Sequence, residues 1–417
     1  MTTPRTGAPS ETYVVIGGGV GGGTAALALR SQGFTGRLVV VCDEPRPPYS
    51  KPPLSKEVLR GEQDAERTAL RPPAWYAKRD IELLTGIAAT GLDAAARTVE
   101  LSDGVTLTYD RLLLATGGRA RTLPGAHDVP GVFTLRTVED AQAIGQRLVP
   151  GARVVVVGAG FIGAEVAASA VQLGCTVTVL EAEQVPMERA LPSVLGQLCA
   201  RLHREHGVDL RTGTAVTDLQ PDEDGGVVAH AASGERFPAD VVVVGIGMVP
   251  CDELAVRAGL HVEDGVVVDE HCRTSDPDVF AIGDLAHAPN PLLGGRMRVE
   301  HWQNAQHQAK VAAANMLGGD VVFAEVPWVW SDQYDVTIEI TGRPRPTDEV
   351  HLRGDVDGWR FSAVLTREGV LCGCVSFNRA KDVRAVRALL TEQRPVSLQQ
   401  LTDPDVDLSA LAATPGR

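Results

Sequence analysis

The chain has 417 residues, of which 44% are hydrophobic and 22% are charged, and its formal net charge at pH 7 is −14. A chain of this length is expected to form roughly two or three domains with ample core. The negative charge argues against general binding to nucleic acid or to a membrane surface, and no apolar run of spanning length lacks glycine or charge. The first ten residues do not resemble a signal peptide and are predicted to form a loose tail. Seven scattered cysteines do not suggest a disulfide framework, so we expect a cytoplasmic protein.

A glycine-rich turn lies near the start of the chain. It follows an apolar run, residues 13–16, that predicts a buried strand, and it precedes a predicted helix, residues 24–30. Three of its glycines have the spacing of a dinucleotide-binding turn, namely Gly17, Gly19 and Gly22. The next predicted strand, residues 38–41, leads to Asp43 and Glu44, of which Asp43 is the better placed to bind a ribose.

Residues 49–56 contain two adjacent prolines and are predicted to form an extended loop, with Ser55 as a candidate cap of a following helix. The loop also carries Lys51 and Lys56. A lysine at such a position is ordinarily solvated, but the neighbouring phosphate-binding turn favours a functional role for Lys56.

The limits of the first domain are predicted from strands that end in glycine. Residues 98–108 predict a hairpin, and the buried strand that follows, residues 112–117, is interpreted as the exit from this domain. A similar strand, residues 241–247, is interpreted as the return. Another strand with a Gly-Asp end, residues 279–284, and a helix, residues 302–317, then complete the domain. We therefore expect the middle of the chain to be an inserted domain.

A second glycine turn lies in that middle segment. Residues 153–157 and 175–180 predict buried strands on either side of a helix, and the turn before the helix contains Gly158, Gly160 and Gly163. The N–H groups that open such a helix carry roughly half a positive charge and face phosphates. Glu181 lies about twenty residues beyond the turn, where an acid binds a ribose and repels a 2′-phosphate, which favours NADH over NADPH. The alternative is a tight turn that binds no nucleotide.

Glu165 lies in the first turn of the same helix, just past the third glycine. One interpretation is a carboxylate that is favoured by the positive end of the helix. The other is a carboxylate beside the nicotinamide. Two dinucleotide-binding units in one chain suggest two cofactors, and a flavin reduced by a nicotinamide is the common pairing.

From about residue 327 the pattern changes. Residues 336–340 alternate, residues 361–377 predict a hairpin, and a helix with several basic residues follows. This stretch is predicted to form a separate α+β domain of about ninety residues.

Together these residues resemble the FAD-dependent NADH:ferredoxin reductases of bacterial oxygenase systems, the putidaredoxin-reductase-like family. The resemblance covers nearly the whole chain and rests on both glycine turns and on further motifs at residues 52–56, 115–117, 161–165, 282–284, 299–305 and 327–334. It implies an α/β fold with two Rossmann-like domains of the glutathione-reductase type, one inserted in the other, and a C-terminal α+β domain. The predicted boundaries are 1–117 with 246–325 for the FAD-binding domain, 118–245 for the NADH-binding domain and 326–417 for the C-terminal domain.

The resemblance also implies roles for single residues. Lys56 and Glu165 match a pair that the family places near the flavin and the nicotinamide, and they are the predicted catalytic residues. The implied FAD-binding residues are Gly17, Gly19, Val20, Gly22, Asp43, Lys51, Lys56, Ala89, Ala115, Thr116, Gly117, Arg136, Gly283, Asp284 and Trp302. The implied NADH-binding residues are Gly158, Gly160, Phe161, Ile162, Gly163, Glu165, Glu181, Arg189 and Gly247. No metal site is predicted. Lys51 stands where the family usually has arginine and Gly21 where it usually has alanine; lysine keeps the charge but loses the planar fork.

The implied reaction is hydride transfer from NADH to FAD, followed by transfer of single electrons to an iron–sulfur ferredoxin, expected to be of the [2Fe–2S] type, that serves a monooxygenase or a dioxygenase. No nucleic acid or membrane partner is expected, and the chain is predicted to be a monomer or a weak dimer. Docking of an acidic ferredoxin needs a local basic patch on this acidic chain. The densest candidates are Arg296, Arg298, Lys310, Arg379, Lys381, Arg384 and Arg387.

Two alternatives remain open. The first is a flavin-dependent disulfide or peroxide reductase, or an NADH oxidase, which would have a similar fold. A thiol-based reductase needs a cysteine facing the flavin, and residues 49–56 contain none; Cys42 follows a strand before the ribose acid, and Cys372 with Cys374 fit core positions. The second alternative is a redox-sensing flavoprotein with slow turnover. Trp328 and Trp330 could line an electron exit, although aromatic packing explains them as well.

Overall fold

The structure, a computed structural model, describes residues 11–403 and 405–413, so the predicted N-terminal tail lies outside the described residues. The β-strands are β1 Thr12–Ile16, β2 Arg37–Cys42, β3 Ile81–Thr85, β4 Ala89–Asp93, β5 Thr98–Leu101, β6 Thr106–Thr108, β7 Arg111–Leu114, β8 Gly118–Ala120, β9 Val132–Thr134, β10 Arg153–Val157, β11 Thr176–Leu180, β12 Asp209–Arg211, β13 Val216–Pro221, β14 Val227–Ala231, β15 Arg236–Ala239, β16 Val241–Val244, β17 Met248–Pro250, β18 Val266–Val267, β19 Val279–Ala281, β20 Ala286–Pro289, β21 Arg296–Arg298, β22 Trp328–Gln333, β23 Val336–Gly342, β24 Glu349–Asp355, β25 Arg360–Arg367 and β26 Val370–Phe377. The α-helices are α1 Val20–Ser31, α2 Pro73–Ala77, α3 Val138–Gly145, α4 Phe161–Gln172, α5 Ser193–Glu205, α6 Glu253–Arg257, α7 Trp302–Met316, α8 Ala380–Thr391, α9 Leu398–Thr402 and α10 Leu408–Ala413.

The chain divides into two compact units, and the first comprises the residues up to Ser50, Thr68–Arg119 and Pro250–Glu325. Its centre is a parallel sheet in the order β19-β7-β1-β2-β3. Both faces of β1 are buried, because α1 and α7 pack on one face and the β4-β5-β6 sheet lies against the other. The carboxyl end of β1 therefore leads directly into the first glycine turn, at the edge of the sheet where ligands bind in such folds.

The predicted hairpin at residues 98–108 is confirmed, since β5 and β6 pair antiparallel with Val99 opposite Leu107. The continuous apolar runs read as buried strands are confirmed as well: Val14 pairs with Val39 on one side and with Leu112 on the other. Such runs suit a parallel sheet that is covered on both faces.

The second unit comprises Lys51–Arg67, Ala120–Val249 and the residues from Val326 onward. It contains a parallel sheet in the order β12-β11-β10-β16-β9 and an antiparallel sheet in the order β22-β23-β26-β25-β24. The rings of Phe361 and Phe377 stack in the antiparallel sheet with centroids 4.5 Å apart, and Leu195 and Leu202 of α5 join the same apolar core. The C-terminal residues therefore share a core with the middle segment, and the domain boundaries given from the sequence stay a prediction.

The structure corrects two expectations for residues 49–56. Pro52–Ser55 is a 3₁₀-helix, not an extended segment, because the fixed φ of proline suits the first positions of such a helix as well as an extended chain. Ser55 is the last residue of this helix and does not cap a following one; its buried hydroxyl donates instead to the carboxylate of Glu165.

The described residues show neither a metal-binding cluster nor a membrane-spanning helix. Within residues 11–403 and 405–413, no group of three or more His, Cys, Asp or Glu side chains is arranged to hold a metal ion. In the same residues, no helix is long and apolar enough to cross a membrane.

Candidate functional site

The first glycine turn has a distinct geometry at each of its three glycines. Gly17 has φ +127°, and a Cβ there would lie 2.1 Å from the carbonyl oxygen of Ala115. A Cβ on Gly22 would lie 2.0 Å from the oxygen of Gly17, so this glycine lets α1 pack against the turn. Around Gly19, in contrast, nothing lies within 4 Å of the Cβ position. The turn therefore leaves open space at its second glycine, immediately before Val20 opens α1.

The second glycine turn repeats this geometry. A Cβ on Gly158, whose φ is +98°, would lie 2.5 Å from the oxygen of Gly245. A Cβ on Gly163 would lie 2.0 Å from the oxygen of Gly158, and nothing lies within 4 Å of the Cβ position on Gly160. The predicted helix end is confirmed too, with Gly174 following the C-cap at φ +82°.

Both turns fit a dinucleotide pyrophosphate. Gly19 is the N-cap of α1 and Gly160 the N-cap of α4, and neither helix start receives a side-chain cap. The first N–H groups of a helix need an acceptor, and phosphate oxygens supply one. The open space at each second glycine is where a Cβ would obstruct the backbone from approaching the phosphates. The residues present therefore suit two dinucleotides, one for each turn.

Other predicted residues flank these turns. In the first unit, Ala115 donates its N–H to Ile16 at 2.8 Å, and the hydroxyl of Thr116 donates to the carbonyl of Cys251 at 2.7 Å. Gly117 follows with φ +61°. In the second unit, Phe161 packs against the shared apolar core, while Ile162 is 44% exposed. Gly247 has φ +101° and open space at its Cβ position.

The two acids that follow β2 have different surroundings. The carboxylate of Glu44 accepts a hydrogen bond from the hydroxyl of Tyr49 at 2.6 Å. Asp43 is exposed, and its carboxylate accepts the backbone N–H of Glu44 at 3.0 Å. This difference favours Asp43 as the acid that meets a ribose.

Glu181 lies over the second glycine turn. It is 9% exposed, and its carboxylate accepts the N–H of Ala159 at 2.6 Å and the N–H of Glu183 at 2.9 Å. The predicted residue Arg189 forms an ion pair with Glu183 at 2.8 Å, and its side chain is 85% exposed. The structure therefore ties Glu181 to the turn, and it pairs Arg189 with Glu183, which follows Glu181 by two residues.

Lys56 and Glu165, the residues that the resemblance pairs, form an ion pair in the second unit. The ammonium of Lys56 lies 2.8 Å from a carboxylate oxygen of Glu165, and the two residues are 5% and 3% exposed. The hydroxyl of Ser55 donates to that same oxygen, and the hydroxyl of Ser331 donates to the other at 2.8 Å. Trp330 lies with its ring centroid 5.9 Å from the ammonium. The contacts of these two serines with Glu165 are ones that the sequence reasoning missed.

The remaining predicted FAD-binding residues fall in both units. In the first unit, Gly283 has φ +73° and donates its N–H to the side-chain oxygen of Gln308 at 2.7 Å. Sequence reasoning did not predict this contact with Gln308. Asp284 follows in a short 3₁₀-helix, Trp302 is the first residue of α7, and the half-buried Ala89 opens β4. In the second unit, the ammonium of Lys51 donates to the carbonyl of Arg136 at 3.1 Å, so these two predicted residues lie together.

The described cysteines form no disulfide, and burial affects the thiols of Cys42 and Cys372 that the sequence singled out. None of the seven, each within the described part of the chain, is in a disulfide bond. Burial raises the pKa of Cys42 to about 12, with the carboxylates of Asp43 and Glu44 adding to the effect. Burial likewise raises the pKa of Cys372 to about 12. Thiols with such pKa values are not the thiolates that disulfide exchange requires.

Comparison with known proteins identifies the family. The model of the pyridine nucleotide-disulphide oxidoreductases matches residues 11–309, and that of the reductase C-terminal domain matches residues 328–412. This chain belongs to the pyridine nucleotide-disulphide oxidoreductase family. It is 42% identical over 404 residues to rhodocoxin reductase of Rhodococcus erythropolis, covering 96% of this chain and 94% of that protein. It is 41% identical over 402 residues to the ferredoxin–NAD(+) reductase component of the anthranilate 1,2-dioxygenase system of Burkholderia cepacia, covering 96% and 98%.

A solved structure agrees over the same length. The covalent putidaredoxin reductase–putidaredoxin complex matches with a TM-score of 0.94 and 37% identity, covering 97% of this chain and 99% of that one. The predictions of a ferredoxin-reductase relative, of the α/β fold class and of an oxidoreductase that uses FAD and NADH are thereby confirmed. The roles of single site residues and the domain boundaries remain predictions.

Proposed function

We propose that this chain takes electrons from NADH and passes them through bound FAD to an iron–sulfur ferredoxin of the [2Fe–2S] type, which serves a monooxygenase or a dioxygenase. The observation that carries the proposal is the same three-glycine geometry at the N-termini of α1 and α4, with open space at Gly19 and at Gly160. Two such sites in one chain call for two dinucleotides. The relatives at 41–42% identity include a ferredoxin–NAD(+) reductase component of a dioxygenase system.

The residues act by binding and by charge. When bound, FAD accepts a hydride from NADH and releases electrons one at a time. The Gly17 turn with Asp43 would hold the FAD pyrophosphate and ribose, and the Gly158 turn with Glu181 would hold those of NADH. The carboxylate of Glu181 is held in place by hydrogen bonds from two backbone N–H groups, so a 2′-phosphate would meet its negative charge. Residues 1–117 with 246–325 would form the FAD-binding domain, and 118–245 the NADH-binding domain.

Lys56 and Glu165 are proposed as the residues that face the reacting rings. Their ion pair is buried and hydrogen-bonded on both carboxylate oxygens, so it holds one geometry. An oriented ammonium and carboxylate supply a fixed field where charge moves between nicotinamide and flavin. A thiol mechanism has no support in residues 49–56, which contain no cysteine.

The test is NADH-driven reduction of cytochrome c by the FAD-loaded protein, with and without an added [2Fe–2S] ferredoxin. A rate that depends strongly on the ferredoxin supports the proposal. Rapid NADH oxidation without that dependence would indicate an oxidase or a disulfide or peroxide reductase. Negligible turnover with every ferredoxin would favour a redox-sensing flavoprotein.

Ferredoxin docking is proposed at a basic groove in the first unit. The groove has a volume of about 890 Å³, and its lining includes Arg71, Trp75, Arg79 and Lys310 but no carboxylate. The guanidinium of Arg79 stacks on Trp75 with 3.5 Å to the ring centroid, and Arg71 lies on the same ring at 5.7 Å. Exposed cations of this kind suit an acidic partner.

Several of the basic residues suggested by the sequence are already engaged elsewhere. Arg298 is paired with Asp264 and Glu300 and is 12% exposed in its side chain. Arg379 is paired with Asp382 at 2.9 Å. Among the seven candidates, Lys310 is the one that lines the groove. It is therefore the strongest of them.

The docking proposal is tested by charge reversal. Arg71→Glu with Lys310→Glu should raise the KM for ferredoxin at least tenfold and weaken its dependence on ionic strength, while ferricyanide reduction stays unchanged. Lys78→Glu is the matched control, because Lys78 is exposed on the same segment but does not line the groove. Equal effects of the control and the double variant would refute docking in the groove.

We also propose that the protein acts as a monomer or a weak dimer in a reducing cytoplasm. No disulfide links any of the seven cysteines, each of which lies in the described residues, and this is consistent with a reducing compartment. Sedimentation at several concentrations would measure the oligomeric state.

A further inference from the structure

The carboxylate of Glu165 is held from two regions that lie far apart in the sequence. Its oxygen Oε2 accepts from Lys56 and Ser55, and its oxygen Oε1 accepts from Ser331 on β22. Ser331 is separated from Glu165 by 166 residues and is fully buried. One side of the ion pair therefore depends on a hydroxyl that the C-terminal region supplies.

The direction of the Ser331 hydrogen bond follows from the donors available. A hydroxyl has one hydrogen, and a carboxylate can only accept. Gln333, on the same strand, directs its side-chain nitrogen to the hydroxyl oxygen of Ser331 at 3.1 Å. The hydroxyl thus accepts from Gln333 and donates to Glu165, and both partners fix its rotation.

Loss of that donor would leave one oxygen of a buried carboxylate without its hydrogen bond. In a site that is 3% exposed, water cannot readily replace the donor. The carboxylate would then be free to rotate about the oxygen that Lys56 and Ser55 hold. A change of this size in the position of a reacting group is enough to slow a reaction strongly.

We propose that Ser331, supported by Gln333, is a positioning residue that orients Glu165 and, through it, the ammonium of Lys56 for the reaction with NADH. The inference rests on the proposed function, in which Lys56 and Glu165 face the reacting rings. It assigns the C-terminal region a direct part in the redox site, beyond its share in the apolar core.

The experiment compares variants of the FAD-loaded protein without ferredoxin. Ser331→Ala should reduce the rate of flavin reduction at saturating NADH about tenfold while the Kd for NAD⁺ changes less than about threefold, and it should shift the midpoint potential of the FAD. Ser331→Thr, which keeps the hydroxyl, should restore most of the rate. Ser331→Cys keeps the volume with a weak donor, so it serves as the second variant if alanine does not fold.

Ser376→Ala is the matched control. Ser376 is a buried serine of β26 in the same sheet, and its hydroxyl has no hydrogen-bond partner among the described residues. This variant should leave the rate and the potential unchanged. If Ser331→Ala, or Ser331→Cys in its place, matches Ser376→Ala in both rate and potential, Ser331 is purely structural and the proposal is wrong.

The potential is measured by chemical titration and needs no NADH. It therefore tests Ser331 even if the wild-type flavin is not reduced by NADH, an outcome that would refute the proposed function instead. Failure of ferredoxin to accelerate cytochrome c reduction would likewise count against the proposed function alone.

Discussion

Replacement of Gly160 by alanine separates cofactor binding from folding. Gly160 has φ −76° and ψ −174°, which alanine adopts without strain, and nothing lies within 4 Å of the new methyl group. Alanine is a poorer N-cap than glycine, so the free energy of unfolding should fall by at most about 1 kcal/mol. The methyl group would occupy the space next to the first N–H groups of α4. We therefore expect the Kd for NADH to rise at least tenfold, about 1.4 kcal/mol.

The companion variant Gly163→Ala should behave in the opposite way. Its Cβ would lie 2.0 Å from the backbone oxygen of Gly158, far inside van der Waals contact, so α4 must move away from the turn. Overpacking of this kind costs roughly 1–3 kcal/mol of folding stability or more. Calorimetric NADH binding and denaturant unfolding of both variants check these expectations. Wild-type NADH affinity in a folded Gly160→Ala variant would show that the pyrophosphate does not bind at this turn.

Three further variants test other parts of the structure. Glu181→Gln can keep only one of the two backbone hydrogen bonds. In steady-state kinetics, kcat/KM for NADH should therefore fall roughly 10- to 100-fold, while kcat/KM for NADPH falls less. Equal losses for the two nucleotides would argue against a ribose contact. Buried Arg353 anchors the C-terminal residues by donating hydrogen bonds to the carbonyls of Leu401 and Val406. Arg353→Met removes these bonds, so the free energy of unfolding should drop by about 2–3 kcal/mol and limited proteolysis near the C-terminus should accelerate. An unchanged rate of proteolysis would contradict the anchoring role. Burial lowers the pKa of His203 to about 4, below its unfolded value of about 6.5. The free energy of unfolding should therefore be about 3 kcal/mol higher above pH 6.5, and this difference is lost as the pH falls toward 4. His203→Gln should flatten this part of the pH–stability curve, and an unchanged curve would refute the assignment.

The glycine turns could be predicted because their chemistry is local. A strand, three glycines and a helix lie within a few residues, and backbone geometry alone fixes their roles. Glu181 could be placed for the same reason, since the βαβ unit sets its distance from the turn. The structure adds that its carboxylate is anchored by the N–H of Ala159, a contact across 22 residues within that unit.

The partners of Glu165 could not be predicted in the same way. The hydroxyls of Ser55 and Ser331 reach it across 110 and 166 residues, and no periodicity in the sequence records such contacts. Serine is a preferred N-cap residue, which is why the sequence predicts Ser55 as a helix cap. The 3₁₀-helix of Pro52–Ser55 turns the hydroxyl inward instead.

The buried pair itself argues for a function. Removing a lysine and a glutamate from water costs several kcal/mol for each ion, and well-packed apolar residues often stabilise a fold as well or better. Lys56 and Glu165 are nevertheless almost fully buried, and two serines are buried with them to satisfy the carboxylate. A cluster that costs this much desolvation is poorly explained by stability. Glu165 is the fifth residue of α4 and so lies just past the first turn in which the sequence placed it, two residues beyond the glycine that packs the helix on the turn. That place would put the charges near a dinucleotide bound at the turn. The desolvation cost of Lys56 and Glu165 therefore argues against a purely structural role, and the place of Glu165 on α4 favours a role in electron transfer.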